Sequence, residues 1–346
     1  MLNVLLSSVG RRSYLASYFR DALKGDGRVI GTNCVPGVPG LQAVDVPIIV
    51  PAASAPDYVP TMLKLCEIYD VRCVFSLHDL EAPYLVAYQT EFEKRGTKLV
   101  MPDSRFLMVC LDKYATSRFA LEHGLKVPTT CLGLARSQDA IARGELAFPL
   151  IVKPRHATGS IGLFLVSSPD ELVACIGLCQ KEILCRPFLN AMSFADHETV
   201  VVQQMLQGQE YGLNILNDLD GNFAACFVVH KLGMHSGETD AGETVHHPVL
   251  EEIGERLGRA FRHPGLMDVD VIVQDQTPYI LDINPRFGGH YPFAHMGGAN
   301  APAALVAWAR GEQPNPEWLT TVPQVRSFKD ITILRCVQLN PGGSDV

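Results

Sequence analysis

The chain has 346 residues, 47% of them apolar and 19% charged, with a formal net charge of −8. That length allows roughly two or three domains with substantial cores, and the acidic balance disfavours nucleic acid or an anionic membrane as the main partner. Ten scattered cysteines form no CxxC pair and no His/Cys ligand spacing, which predicts reduced, mostly buried thiols and a cytoplasmic protein. Met1 to Val9 is too short an apolar run for a signal peptide, and no segment approaches membrane-spanning length.

Residues 1 to about 110 alternate strand and helix. Val4–Leu6, Val29–Gly31, Ile48–Val50, Cys73–Leu77 and Leu99–Met101 read as strands. Arg12–Leu23, Asp57–Tyr69 and Leu80–Lys94 read as the helices between them, the first and last closed by Gly25 and Gly96. Such alternation predicts an α/β domain with a doubly wound, mainly parallel sheet. The turn Ser7–Arg12 follows the first strand, and His78-Asp79-Leu80-Glu81 follows the fourth. Ligands favour the carboxyl ends of such strands, so either turn is a pocket border or simply a tight turn with helix caps. The first turn is not GxGxxG, which argues against a nicotinamide dehydrogenase.

Asp112 caps a helix ending near Gly124. Pro149–Pro154 and Gly162–Val166 are strands around a polar loop, and Ser168 or Asp170 caps the next helix. Val200–Met205 is a strand, and Glu210–Asn217 with Phe223–Lys231 form a hairpin over Asp220-Gly221. Lys231 to Thr239 is glycine-rich and polar, which predicts a binding loop. Pro248–Arg262 and Pro302–Ala309 are helices. Between them, Met267–Val271 and the stretch Tyr279–Arg286 read as two short strands joined by the turn Gln274–Pro278.

That last hairpin carries the densest chemistry. Residues two apart in a strand share a face, so Asp268 pairs in direction with Asp270, and Asp282 with Asn284. Converging oxygen ligands of this kind suit Mg²⁺ that also holds nucleotide phosphates, and Arg286 follows at once to neutralise phosphate. Lys153 ends a strand before the small residues Gly159, Ser160 and Gly162, which let backbone N–H groups approach phosphate; no Walker A pattern is present. Gln203, Gln204, Met205 and Leu206 lead through a short link to Glu210, a stretch able to clamp a flat base. Taken singly, that link and His235 read more readily as ordinary surface or structural features than as binding ones.

The order of these pieces, from Asp112-Lys113 through Lys153-Pro154-Arg155, Gly159–Gly162, Met234-His235-Ser236-Gly237 and Asp282-Ile283-Asn284-Pro285-Arg286, resembles the ATP-grasp superfamily. It is most similar to the branch of carbamoyl-phosphate synthetase large subunits and carboxylate–amine ligases, over nearly the whole chain. The resemblance implies a pre-ATP-grasp domain over 1–111, a lid over 112–205 and a large subdomain over 206–346. It implies that Lys113 and Lys153 contact ATP phosphates, that Gln203 to Leu206 hold adenine, and that Glu210 holds ribose. Asp270, Asp282 and Asn284 would bind Mg²⁺ or Mn²⁺, Arg286 would stabilise the transferred phosphoryl group, and His235 would lie near phosphate or substrate. Arg11, Arg12, Arg155 and His290 are the candidates to hold substrate carboxylates. Two positions depart from the family's habit: Gln203 stands where Glu is frequent, and Asp282 where the longer Glu is common. The chain is also shorter than a full synthetase, which carries two such units. The expected activity is ADP-forming ligation of a small carboxylate, such as an amino acid, to an amine. Carboxyphosphate formation, kinase-like transfer and a non-catalytic ATP-binding regulator are the alternatives. Small-molecule substrates are the expected partners, with a homodimer allowed.

Overall fold

The computed structural model describes residues 1–79, 81–157, 159, 161–186, 198–235 and 237–334; Ser160 lies outside them. Its first sheet contains β1 (Asn3–Ser7), β2 (Val29–Asn33), β3 (Val46–Ile49), β4 (Val71–Ser76) and β5 (Lys98–Val100), all parallel, in the order β3-β2-β1-β4-β5. Every residue of β1 is buried, as a parallel strand covered on both faces requires. The chain leaves β1 towards β2 on one side and returns through β4 on the other. The carboxyl ends of β1 and β4 therefore flank the crevice of a topological switch point. The helix expected over 80–94 is two short ones, Ala82–Val86 and Gln89–Glu93. Tyr88 leaves helical geometry (ψ 19°), and its carbonyl restarts the ladder by accepting from Glu91 and Phe92.

The second sheet has β6 (Thr130–Leu132), β7 (Leu150–Pro154), β8 (Phe164–Val166) and β9 (Val200–Gln204), antiparallel in the order β6-β9-β7-β8. Helices Gly133–Ala142 and Pro169–Cys185 belong to this unit, and Ser168, not Asp170, caps the second, its Oγ accepting from Glu171 N at 3.3 Å. Leu150, Val152, Val166, Leu172, Ile176, Cys179, Val200 and Val202 form a core of its own.

The third sheet is antiparallel, in the order β14-β13-β10-β11-β12-β15. Its strands are β10 (Gln209–Asn217), β11 (Phe223–His235), β12 (Glu238–Val245), β13 (Gly265–Gln274), β14 (Thr277–Asn284) and β15 (Arg326–Phe328). The segment read as a loop over 231–239 is instead the end of a long hairpin, because β11 runs on to His235 and β12 begins at Glu238. One face of the sheet is covered by helix Pro248–Phe261, whose Leu250, Ile253, Leu257 and Phe261 recur at helical spacing and are buried. Phe119, from the helix Lys113–Glu122, packs into that same cluster with its ring centroid 4.4 Å from that of Phe261. The helix expected to open the lid thus rests on the large sheet.

The other face turns towards the first domain. Leu216, Phe227, Val229, Phe287, Tyr291 and Phe293 share one core with Leu6, Leu15, Phe19 and Leu77. Each such buried side chain contributes about 1.5–3 kcal/mol over its exposed state. Arg310 Nη2, just past helix Ala301–Ala309, donates to Leu23 O at 3.3 Å, satisfying a carbonyl at the end of helix Ser13–Leu23.

Candidate active site

The register of the third sheet assembles the site. Across β13 and β14, Asp268 stands opposite Asn284 and Asp270 opposite Asp282; on β10, Gly212 stands opposite Asp270 and Asn214 opposite Asp268. The two-residue turn Asp275-Gln276 fixes this register, both residues having positive φ (49° and 60°), as the favoured hairpin turn demands. All these oxygens lie on the face away from helix Pro248–Phe261.

Cations of the protein surround them. Lys113 Nζ donates to Asp282 Oδ2 at 2.5 Å, and Lys231 Nζ donates to Asp270 Oδ1. Burial disfavours the Lys231 charge, but Asp270 outweighs it and raises the ammonium above its usual pKa. Lys153 Nζ donates to Gln203 Oε1 at 2.9 Å, while Gln203 Nε2 donates to Thr130 Oγ1 at 2.9 Å. A neutral amide thus faces Lys153 where the family has a frequent carboxylate. Burial, then the charge of Lys113, brings the Lys153 ammonium down to about 8, against the pull of Asp282 and Asp270.

Arg286 follows β14 and reaches both domains. Its Nε and Nη2 donate to Asp79 Oδ1 and Oδ2, each at 3.1 Å, and its Nη1 donates to Asp268 Oδ2 at 2.9 Å. Burial opposes its charge, and Asp79 and Asp268 more than restore it. His290 Nε2 lies against Asp268 Oδ1; the ring is 2% exposed, and Nδ1 has no hydrogen-bond partner among the described residues. The ring occupies the space above Gly212, where a Cβ would come within 2.4 Å of it. Burial would raise the Asp268 carboxyl, but His290 first and Arg286 next hold it far below the ordinary range.

The other expected residues fall as follows. Arg155 meets a carboxylate of the protein itself, its Nε and Nη2 donating to Asp112 at 2.9 and 2.7 Å, and this ties the end of the four-stranded sheet to the cap of helix Lys113–Glu122. His290 is likewise committed to Asp268. Arg12 Nη1 donates to Phe287 O at 2.5 Å, and Arg11 is exposed. His235 is exposed at the end of β11, opposite Glu238. The Gln203 side chain is buried, and Gln204 Nε2 donates to Ala147 O at 3.0 Å, so both amides are engaged within the four-stranded unit. Met205, Leu206 and Glu210 are half-buried in and after the link from β9 to β10. Gly159 and Gly162 have positive φ (66° and 69°) in the loop after β7.

The donor set fits a hard divalent cation, since two facing carboxylates, Asp270 and Asp282, already draw a lysine each. The structure also groups Asp268, Asp270 and His290, with one potential ligand atom from each lying within 4.8 Å of the others. Asp268, however, is already engaged by Arg286, which makes Asp270 and Asp282 the better pair. Asp79, Lys231 and Asp268 lay in segments marked from sequence as a pocket border, a binding loop and a polar strand face, but none was given a role of its own. Asp268 was visible as the same-face neighbour of Asp270; Lys231 carried no signal, because its partner is set by strand pairing alone.

Comparison with known proteins places this geometry. The model of the ATP-grasp domain matches residues 110–290, and that of the PylC-like N-terminal domain matches residues 4–100. The chain belongs to the ATP-grasp family, whose members are ATP-dependent ligases. It is 22% identical over 236 residues to the arginine-specific large chain of carbamoyl phosphate synthase of Bacillus subtilis, covering 65% of this chain and 22% of that protein. The chain therefore spans about a fifth of the length of that relative. In fold it is similar to an L-amino acid ligase from Bacillus licheniformis (TM-score 0.70, 18% identity, 94% of this chain and 79% of that one). It is also similar to the biotin carboxylase domain of 2-oxoglutarate carboxylase from Hydrogenobacter thermophilus, solved with MgADP and bicarbonate (TM-score 0.68, 14% identity, 90% and 70% covered). Among the described residues, no helix is long and apolar enough to cross a membrane.

Proposed function

We propose that this chain is an ADP-forming carboxylate–amine ligase acting on a small, amino-acid-like carboxylate. The observation that carries the reading is the polar face of β13 and β14, where the facing carboxylates Asp270 and Asp282 meet Lys231 and Lys113, Lys153 lies within reach of their charge, and Arg286 holds the neighbouring Asp268. Lys113 and Lys153 would bind ATP phosphates, Met205 and Leu206 would border the base, and Glu210 the ribose. Asp270, Asp282 and Asn284 would hold Mg²⁺ or Mn²⁺, which when bound offsets phosphate charge. The substrate carboxylate oxygen attacks the γ-phosphorus and ADP leaves. The amine then attacks the carbonyl of the acyl-phosphate, loses a proton, and phosphate leaves. Arg286 offsets charge on the phosphoryl group, and positioning with charge neutralisation supplies the catalysis. The lid must exclude water, since an acyl-phosphate hydrolyses.

The test is a screen of amino acids, singly and in pairs, for phosphate release, followed by the active carboxylate labelled with ¹⁸O. Label in the released phosphate, with ADP and amide in equal amounts, is the expected result. AMP and pyrophosphate would mean adenylation and would end this reading. Stimulation by bicarbonate alone would move it to carboxyphosphate formation.

A further inference from the structure

The turn after β4 takes no part in the chemistry above, yet it is among the most heavily tied segments of the first domain. Glu81 is 2% exposed, and four hydroxyls donate to its carboxylate. Oε1 accepts from Ser7 and from Ser76 at 2.7 Å, and Oε2 accepts from Ser8 at 2.6 Å and Tyr58 at 2.8 Å. These donors come from the ends of β1 and β4, the residue after β1, and helix Tyr58–Ile68. A carboxylate so fully satisfied has no capacity left for a ligand; its effect is to lock the turn. Asp79, two residues earlier and 7% exposed, is thereby presented to Arg286 across the domain boundary.

The grip on Arg286 has two points. Asp79 takes the guanidinium edge with both oxygens, the planar fork geometry that fixes orientation as well as distance. Arg12, from the turn after β1, takes the carbonyl of the next residue, Phe287. Arg12 and Arg286 lie close enough for each charge to oppose the other, and Asp79 is the anion facing both. Of the five N–H groups of a guanidinium, those on Nε and Nη1 are taken up by Asp79, Asp268 and Phe287, and one on Nη2 by Asp79. Among the described residues, one Nη2 hydrogen is left to meet a phosphoryl oxygen.

We propose that Asp79 is a positioning residue that holds Arg286 in its working orientation from the first domain, with Arg12 fixing the adjoining main chain. This rests on the ligase reading, in which Arg286 meets the transferred phosphoryl group. The first domain then supplies part of the catalytic geometry beyond any role in substrate choice.

The test uses the full chain and Asp79→Asn, which keeps the shape but removes the charge and one acceptor. The first arm is nitrogen NMR of the arginine side chains, with the Arg286 signals identified from Arg286→Lys. In the parent, the Arg286 Nε–H exchanges slowly and its Nη groups are resolved by hindered rotation; in Asp79→Asn both features are lost. Unchanged Arg286 signals in a folded Asp79→Asn protein overturn the proposal. The second arm measures ADP release from Mg-ATP with a mixture of the twenty L-amino acids as probe. Asp79→Asn should lower kcat on the order of 10²-fold while Mg-ATP affinity by calorimetry stays within about twofold, as for loss of a transition-state contact. In an Arg286→Lys background, where the fork is gone, Asp79→Asn should change the rate by less than about twofold. Full multiplicative loss in that background would show that Asp79 acts elsewhere. Asp79→Glu, which shifts the charge by one methylene, replaces Asp79→Asn if the latter does not fold. An Arg286→Ala protein as active as the parent would instead remove the ligase reading, whatever Asp79→Asn does.

Discussion

Lys113 Nζ and Asp282 Oδ2, 2.5 Å apart, join the first residue of a helix to the edge strand of the six-stranded sheet. The lysine is 12% exposed and the aspartate 21%, so the pair is only partly screened by water. In the ligase reading, Asp282 would turn to a divalent cation that arrives with the nucleotide, and Lys113 would be freed for phosphate. Asp282→Asn keeps the size and removes the charge. We expect a folded protein, ADP release down by on the order of 10²–10³, and a higher Mg²⁺ requirement. Magnesium titration at fixed ATP, beside a thermal melt, checks this. Unaltered turnover and metal dependence would place the metal elsewhere, and an unfolded variant would make Asp282 structural.

Lys153 should make nucleotide binding depend on pH. Its ammonium titrates at about 8 in the free protein. Bound phosphate favours the charged form and raises that value, so binding takes up a proton in the interval between the two. Affinity is then full below 8 and declines as pH rises through 8 towards the bound value. Calorimetry with Mg-ATP from pH 7 to 9.5 should trace the decline. Gln203→Glu places a carboxylate at the amide now 2.9 Å away and should move the decline to higher pH. Identical profiles for parent and Gln203→Glu would exclude Lys153 as its origin.

His263 predicts acid sensitivity of the fold. It is 2% exposed, Nε2 lies 3.1 Å from Leu266 O, and burial holds its pKa down to about 4. The unfolded chain takes up a proton near 6.5 and the folded one near 4. Stability is therefore fully present above pH 6.5 and is lost as pH falls to 4, by up to roughly 3 kcal/mol. Urea unfolding of parent and His263→Gln should differ in slope against pH within that window. Parallel slopes would show that His263 is not responsible.

Gly212→Ala tests the seat of His290. A Cβ there meets the imidazole ring at 2.4 Å, and the ring is already held by Asp268 at Nε2. The ring must move, at a cost of about 1–3 kcal/mol, typical of overpacking. A lowered melting temperature with weakened activity is expected. A melting curve equal to the parent's would mean that the ring relocates freely.

Much of this arrangement was legible in sequence because its signals are local. The alternation Asp268-Val269-Asp270 fixes one polar and one buried face without knowledge of any partner, and the hairpin with Asp282-Ile283-Asn284 followed. The parallel sheet followed from buried strands separated by capped helices. What escaped depends on contacts distant in the chain. Asp79 lies 207 residues from Arg286, and Lys231 lies 39 from Asp270. Arg155 and His290 were read as open to substrate because nothing near them in sequence announces Asp112 or Asp268. The hairpin end at 231–238 was missed because its glycines mimic a loop, while pairing between Gly233 and Ala241 keeps it in the sheet.

The distribution of cores bears on how the chain melts. The four-stranded unit fills a core to itself, whereas the first domain and the six-stranded sheet, each with a cluster of its own, also share a third between them. The smaller block can lose its structure without exposing the clusters of the larger, whereas unfolding either half of the larger exposes the cluster the two share. Heating should thus reveal two cooperative units of unequal size, with a calorimetric enthalpy exceeding the van't Hoff value. A nucleotide bridging both would draw the two transitions together. Their separation then becomes a direct thermodynamic gauge of how strongly a ligand couples the blocks.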